Sequence, residues 1–380
     1  SALKSGQLAA MTTNQLVAIE SQDFTAISSA ALQGLNSSQL VSLGTLAIGS
    51  MSASQVAALA TNMLASLTTS QIAYLSTAQT AALQCAQFSA LTTQQVTALS
   101  TQDVASLTTG ALNGLTTAQL RALNSDQLTS LSSHQLNSLT TMQLQGLSTQ
   151  QIQDLTSSQL SSLTTSLLNG LTTQQFAAME TADIATLTTQ QVAQLETADV
   201  ASLTSDQITA LTTRQYAAFK STQLAALGTT ALHAMETADL AALSTSTLLA
   251  LTSLQVASLT TDQIVALTTS QINNLTTRAL SGMSTDAIVA LSTQQAAALK
   301  SSQLASLGTS QIAALETADL AALPNQTLQG LTTAQALALG TQQFASLGTS
   351  QIASLDTRNI AVLSSQQIHA LTTDQANALK

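Results

Sequence analysis

The chain is built on an eight-residue stretch that reads LTTSQIAY at residues 67–74 and returns as LGTSQIAS at residues 347–354. Counting from Leu3 in steps of eight, the first position of every octad is Leu, Met, Ile or Phe, without a polar exception. Forty-seven octads therefore run over residues 3–378 without insertion or deletion, and residues 379–380 open a further octad. A fixed period of this kind predicts a single continuous solenoid rather than a series of separate domains.

The period of eight excludes one long helix. At about 100° per residue, an apolar stripe that returns every eight residues drifts by about 80° at each repeat and circles the helix. A β-solenoid would use Thr and Ile well, but it generally needs Gly, Asn or Asp at its turns. Gly accounts for only 14 of 380 residues, whereas Ala, Leu and Gln are good helix formers. We therefore predict an all-α solenoid or superhelix of short helical segments, one per octad, with a β-solenoid as the alternative.

Each segment carries its own start signal. Position three is Ser or Thr in 44 of the 47 octads, and both residues are favoured N-caps. We place the N-cap mostly at position three and treat position two as a linker. At position two, Gly44 suits the left-handed backbone conformation that ends a helix, and Pro324 cannot continue a helix. A capping box in Thr-Thr-x-Gln would instead put the N-cap at position two, and the sequence does not choose between these registers.

Packing between segments must hold this structure together, because helices of about six residues do not survive alone. Position six and the next Leu face inward, and positions four and seven face outward. Position eight is Ala, Ser or Gly in 41 of 47 octads, which predicts close approach of a neighbouring backbone.

Gln fills position five in 30 of 47 octads. We expect Gln to cap free backbone groups at the helix ends, the alternative being an amide ladder that recruits polar polymers such as polysaccharide.

Five octads carry a pair of acids, Glu at position two and Asp at position five, the first being Glu20/Asp23. Two carboxylates three residues apart repel one another unless a cation or a helix N-terminus lies between them. The Asp either complements the positive start of its helix or shares with the Glu a weak, oxygen-rich cation site, for which Ca²⁺ is the natural candidate. The candidate metal pairs are those of the Glu-Thr-Ala-Asp octads: Glu180/Asp183, Glu196/Asp199, Glu236/Asp239 and Glu316/Asp319.

The sequence offers no motif for catalysis or for a cofactor. His134, His233 and His369 lie far apart, without a second ligand at metal-binding spacing. Cys85 stands where a capping Ser or Thr is expected, and no nucleotide fingerprint is present. We therefore expect a protein that is not an enzyme and holds no cofactor beyond weakly bound calcium.

Charge and hydropathy limit the classes of binding partner that we expect for this chain. The chain has 8 Lys and Arg against 18 Asp and Glu, a net charge of -10, and no basic patch for phosphate groups. Nucleic acid is therefore not an expected partner. Apolar residues never run together for the 18 or so positions that a membrane helix needs. A single Cys permits no internal disulfide.

The pattern LTTDQIVAL at residues 259–267 resembles the octapeptide arrays of giant bacterial surface or secreted proteins, often labelled haem-utilisation or haemagglutinin-like adhesins. The resemblance covers essentially the whole chain. It implies an extracellular or cell-surface location and a structural or adhesive role. It does not imply haem binding, because no His, Met or Cys stands out as an axial ligand.

These observations favour a structural element, a stalk, filament or sheath segment that stacks end to end or laterally with other copies of itself. The last octads are as regular as the middle ones, and the low charge weakens repulsion between neighbouring rods. The alternative is an adhesin-type surface for polysaccharide, a host surface or ice, built from the Thr rows. An ice-binding plane is disfavoured, because Lys4, Glu20 and Gly44 interrupt the row at position two.

Overall fold

The structure, a computed structural model, describes residues 3–379 and consists of short helices that follow the octad. Each octad of these residues holds one helix, which begins at position three and is four to six residues long. One of them is a 3₁₀ helix, and no strand occurs in the described part of the chain. The predicted all-α solenoid is confirmed, and the β alternative is wrong.

The helices fall into two compact units, divided between Leu187 and Thr188. The first unit contains α1 Ser5–Ala10, α2 Thr13–Val17, the 3₁₀ helix η1 Ser21–Ala26, α3 Ser29–Leu32, α4 Ser37–Ser42, α5 Thr45–Ser50, α6 Ala53–Ala57, α7 Thr61–Ser66, α8 Thr69–Ala73, α9 Thr77–Ala82, α10 Cys85–Ala90, α11 Thr93–Thr97, α12 Thr101–Ser106, α13 Thr109–Leu112, α14 Thr117–Ala122, α15 Ser125–Thr129, α16 Ser133–Leu136, α17 Thr141–Gln145, α18 Thr149–Asp154, α19 Ser157–Ser161, α20 Thr165–Leu168, α21 Thr173–Ala178 and α22 Thr181–Thr186. The second contains α23 Thr189–Gln194, α24 Thr197–Ser202, α25 Ser205–Ala210, α26 Thr213–Tyr216, α27 Ser221–Ala226, α28 Thr229–Ala234, α29 Thr237–Ala242, α30 Thr245–Leu248, α31 Ser253–Ala257, α32 Thr261–Ala266, α33 Thr269–Asn274, α34 Thr277–Leu280, α35 Thr285–Val289, α36 Thr293–Ala297, α37 Ser301–Ser306, α38 Thr309–Ala314, α39 Thr317–Ala322, α40 Asn325–Leu328, α41 Thr333–Ala338, α42 Thr341–Ala345, α43 Thr349–Ser354, α44 Thr357–Ala361, α45 Ser365–His369 and α46 Thr373–Ala378.

Most of the described helices start with a capping box. In α8, Thr68 has extended backbone angles (φ -70°, ψ 158°), and its hydroxyl accepts the backbone N–H of Gln71 at 3.1 Å. The side-chain carbonyl of Gln71 accepts the backbone N–H of Thr68 at 2.8 Å. The N-cap is therefore position two, and the register that we preferred, with the cap at position three, is wrong by one residue. Gln at position five must stand three residues after the cap to reach back to its N–H.

Extended residues, rather than left-handed ones, separate the helices. Leu83 at position one has φ -66° and ψ 143°, and this extended conformation ends α9. Among residues 3–379, no residue has a positive φ, and Gly44 has φ -66°. The expectation of a left-handed Gly at position two is therefore wrong. Leu323 before Pro324 is extended, as the proline requires.

Within each unit, a helix packs against the third helix before it and the third after it, for example α22 on α19 and α39 on α36. The side chains at positions six and one fill the core, as predicted, with Ile264 0% and Leu267 2% exposed. Each such side chain contributes about 1.5–3 kcal/mol by leaving water. Outward residues such as Arg214 are exposed.

Position eight is the point of closest backbone approach, as its small residues predicted. A Cβ atom on Gly34, Gly114, Gly282 or Gly330 would overlap the backbone of the residue 29 positions earlier in the chain. For Gly282 that backbone belongs to Ser253 at the start of α31. Neighbouring turns therefore touch backbone to backbone at these octads.

This contact gives a testable contrast between two glycines of the second unit. We expect Gly282→Ala to lower the free energy of unfolding by about 1–3 kcal/mol, because its Cβ would overpack against backbone that has no room to move. Gly228→Ala is the matched control, since nothing lies within 4 Å of its Cβ position. Urea unfolding followed by circular dichroism at 222 nm measures both, and equal effects would contradict the assigned contact.

Candidate functional site: the residue at position five

Gln at position five bonds to two different turns of the solenoid. In the first unit, the Nε2 group of Gln71 donates to the carbonyls of Leu40, Val41 and Leu43 at 3.3, 3.2 and 2.8 Å. These carbonyls end helix α4, and they lie 31, 30 and 28 residues earlier. Because the Oε1 atom of the same amide caps α8, one side chain satisfies the start of its own helix and the end of an earlier one. The expectation that Gln caps helix ends is confirmed.

The second unit repeats this arrangement. The Oε1 atom of Gln295 accepts the N–H of Ser292 at 2.8 Å, and its Nε2 group donates to the carbonyls of Ile264 and Leu267 at 2.9 and 2.6 Å. Gln295 is 2% exposed. The offsets of 28 and 31 residues place between three and four octads in each turn of the solenoid.

Asn and Thr at position five keep the bond to the carbonyl 28 residues earlier. Asn359 donates to Leu331 at 2.9 Å, and the hydroxyl of Thr327 donates to Leu299 at 2.8 Å. Thr327 follows Pro324, which has no backbone N–H, so a glutamine side chain would have no N–H to accept at this helix start. The side chain at position five therefore only has to bond to the earlier turn, and a hydroxyl group can do so.

The acidic octads place the two carboxylates of each pair in different surroundings. In the four Glu-Thr-Ala-Asp octads the Glu is the exposed N-cap and makes no side-chain capping bond, whereas the Asp is buried. The exposed fractions of these buried residues are 3% for Asp183, Asp199 and Asp239 and 1% for Asp319. Asp23 differs, because it lies in η1 and is exposed.

A hydroxyl from the third preceding octad contacts the buried carboxylate, and sequence reasoning missed this partner. The hydroxyl of Ser157 donates to Oδ1 of Asp183 at 2.7 Å. Thr293, which stands 26 residues before Asp319 as Ser157 does before Asp183, likewise hydrogen-bonds to that carboxylate. The Oδ2 atoms of Asp183, Asp199 and Asp319 are buried and have no hydrogen-bond partner.

Burial disfavours the charge on Asp199 and Asp319. It raises the pKa of Asp199 to about 6, and the nearby Glu196 adds to that rise. It also raises the pKa of Asp319, an effect that the hydroxyl of Thr293 opposes and the charge of Glu316 reinforces. Glu196 and Glu316 are therefore close enough to repel Asp199 and Asp319 electrostatically, as the spacing predicted.

The octad of Asp239 is distinguished by a buried tyrosine. The hydroxyl of Tyr216 donates at 2.6 Å to the carbonyl of Ile208, which lies 31 residues before Asp239. Burial raises the pKa of Tyr216, and the charges of Asp239 and Glu236 raise it further. Burial also raises the pKa of Asp239, while the hydroxyl of Thr213 lowers it.

Asp103 shows how a buried acid at position five is satisfied without a cation. Its Oδ2 atom accepts the backbone N–H of Ser100 at 3.1 Å and the hydroxyl of Ser100 at 2.6 Å. The N-cap here is Ser instead of Glu, so it can donate to the carboxylate. Asp103 is 3% exposed, as Asp183 is.

The remaining candidate residues are not gathered into a site. His134, His233 and His369 are exposed. Cys85 is exposed too, and it is the first helical residue of α10 instead of its cap, which is Gln84. Over residues 3–379, no three His, Cys, Asp or Glu side chains form a group that could hold a metal ion. In that same range, no helix has the length and apolar character to cross a membrane.

The fold and the position-five residue define a class, the helical octad-repeat solenoid. The family model described as the ALTTAQ repeat matches residues 16–53, 104–141, 176–213, 232–269, 312–349 and 344–380, which together exceed half of the chain. The chain belongs to the ALTTAQ repeat family. The six letters of that description correspond to position eight followed by positions one to five, the segment that ends one helix and caps the next. A comparison with curated proteins gave no match.

Two neighbouring glutamines test the role of position five. We expect Gln295→Glu to destabilise the chain by about 2–4 kcal/mol at neutral pH, because a carboxylate replaces the donor that bonds to the carbonyls of Ile264, Val265 and Leu267. Gln294→Glu, at exposed position four, is the control and should change stability by no more than about 0.5 kcal/mol. The measurement is urea unfolding at pH 7, and a Gln295→Glu variant as stable as the control would refute the bridging role.

Proposed function

We propose that this chain is a non-enzymatic structural repeat protein that serves outside the cell as a segment of a stalk, filament or sheath. The observation that carries the proposal is the bond between turns. Each turn offers the next one the carbonyls at its helix ends, and it uses its own glutamines to bind the carbonyls of an earlier turn. Such an array is extended by adding octads, without any new kind of contact.

The outward surface supports assembly with other copies. Net charge is only -10 over 380 residues, so electrostatic repulsion between neighbouring chains is weak. Large apolar side chains stand at outward position four, where Leu46, Met142 and Leu254 are 67%, 73% and 70% exposed. Exposed side chains of this kind favour contact between copies.

The extracellular location is supported by the resemblance of the octad to the arrays of giant bacterial surface and secreted proteins. The exposed faces of the described helices are dominated by hydroxyls, amides and small apolar groups, with few charges. Those groups suit a spacer.

Insertion of whole octads tests this proposal. We expect a chain in which residues 227–290, eight octads, are duplicated in phase to keep its helical signal per residue and its melting temperature. In electron micrographs it should form particles of the parent's width and greater length, and at high concentration both chains should form fibres of uniform width.

The control duplicates residues 227–286 and so breaks the octad phase, and it should melt at a lower temperature. A duplicated chain that becomes wider instead of longer, or a parent that remains monomeric and compact at high concentration, would contradict the proposal.

A further inference from the structure

The buried carboxylates at position five stand where most octads carry a side chain that donates to backbone carbonyls of an earlier turn. At this position Gln, Asn and Thr all give a hydrogen to the carbonyl 28 residues earlier, as Gln351 does to Leu323 at 2.7 Å and Asn359 to Leu331 at 2.9 Å. An ionised Asp only accepts hydrogen bonds. When Asp replaces Gln, the hydrogen-bond donor is lost, and both the carboxylate and the backbone carbonyl can only accept hydrogen bonds.

Two such carboxylates stand in the same register as the glutamines. The carbonyls 28 residues before Asp183 and Asp319 belong to Leu155 and Leu291. Two residues after each of these leucines comes the hydroxyl, Ser157 or Thr293, that bonds to the carboxylate. Helix α22 packs on α19 and helix α39 packs on α36, the same spacing of three helices at which the glutamine octads pack.

The shorter side chain of Asp leaves room for a metal ion in the register of the glutamines. Asp is shorter than Gln by one methylene, or about 1.3–1.5 Å. Since the amide nitrogen of Gln351 lies 2.7 Å from its carbonyl, an Asp oxygen in that register stands about 4 Å from the equivalent carbonyl. Two oxygens about 4 Å apart can share one ion at the 2.3–2.6 Å typical of Ca²⁺.

The electrostatics also favour a cation. The Oδ2 atoms of Asp183 and Asp319 are buried without a partner, in residues that are 3% and 1% exposed. In residues 3–379 the only ion pair joins Asp356 and Arg358, so no basic side chain neutralises either carboxylate. An unpaired buried charge is costly unless an ion or further hydrogen bonds compensate it.

Each site also has a second carboxylate near its entrance. Glu180 and Glu316 are exposed N-caps that make no capping bond, so both are available to an ion. Glu316 lines an open groove of about 690 Å³. The two carboxylates of a pair carry two negative charges, which match a divalent cation.

We propose that Asp183 and Asp319 each bind one Ca²⁺ ion between the carboxylate and the backbone carbonyls of the preceding turn, with Glu180 or Glu316 at the solvent-facing side. The ion takes the place of the Gln amide as the link between turns. The proposal does not depend on the structural role proposed above.

The experiment is a calcium titration of the full chain after treatment with chelator, by isothermal calorimetry and by thermal melting at constant ionic strength. The Asp183→Asn, Asp319→Asn double variant should bind two fewer equivalents of Ca²⁺ than the parent. Calcium should raise the melting temperature of the parent, and the double variant should lose most of that rise. Mg²⁺ at the same concentration should have a smaller effect, because it prefers a compact octahedral site.

Two further variants keep the test decisive. Asp183→Gln with Asp319→Gln restores the side chain that the other octads use, so this chain should melt above the parent without calcium and also bind two fewer equivalents. Asp103→Asn is the matched control, because Ser100 already satisfies that buried carboxylate, and it should leave both calcium readouts unchanged.

Either of two results would overturn the proposal. The first is equal calcium stoichiometry in the parent and both double variants. The second is a parent that gains stability on acidification from pH 7 to pH 5 but not on addition of Ca²⁺, which would show that a proton instead of a metal ion compensates the buried carboxylates.

Discussion

The side-chain amide at position five is the interaction on which the rest of the solenoid depends. A helix of four to six residues leaves nearly all of its backbone donors and acceptors without partners inside the helix. The amide is the one side-chain group short enough to fold back on its own N-cap and still present two hydrogens to another turn. Gln71 does both, with bonds of 2.8 Å on each side.

This double use explains the tolerance of the neighbouring positions. Because the Oε1 atom accepts a backbone N–H, the side chain at position two is free to vary, and Gly308 serves there as well as Thr68. Proline is the exception, since it lacks the N–H, and its octad carries Thr327 instead of Gln. Where Ala stands at position five, as in the octads of Gly114 and Gly282, a glycine at position eight lets the turns approach more closely.

Local features of the sequence were sufficient to predict the fold. The hydroxyl caps, the apolar residues at positions one and six, and the small residue at position eight all act within one octad or against its immediate surroundings. The N-cap register was wrong, because Ser or Thr occurs at both positions two and three, and only the reach of Gln decides between them. The bonds from Gln71 to Leu43, and from Ser157 to Asp183, could not be predicted, because they span 28 and 26 residues. Those separations follow from the number of octads per turn, which a strict period does not encode.

Hydrogen exchange of the glutamine side-chain amides tests the central claim most directly. The full chain, labelled with ¹⁵N in its Gln amides, is transferred to D₂O and followed by NMR, with Gln71→Glu and Gln294→Glu variants assigning one signal of each class. The account predicts two classes: buried amides at position five, such as that of Gln71, exchange much more slowly than exposed amides at position four, such as that of Gln294. Uniformly fast exchange of every glutamine side chain, while the backbone amides of the same helices remain protected, would contradict it.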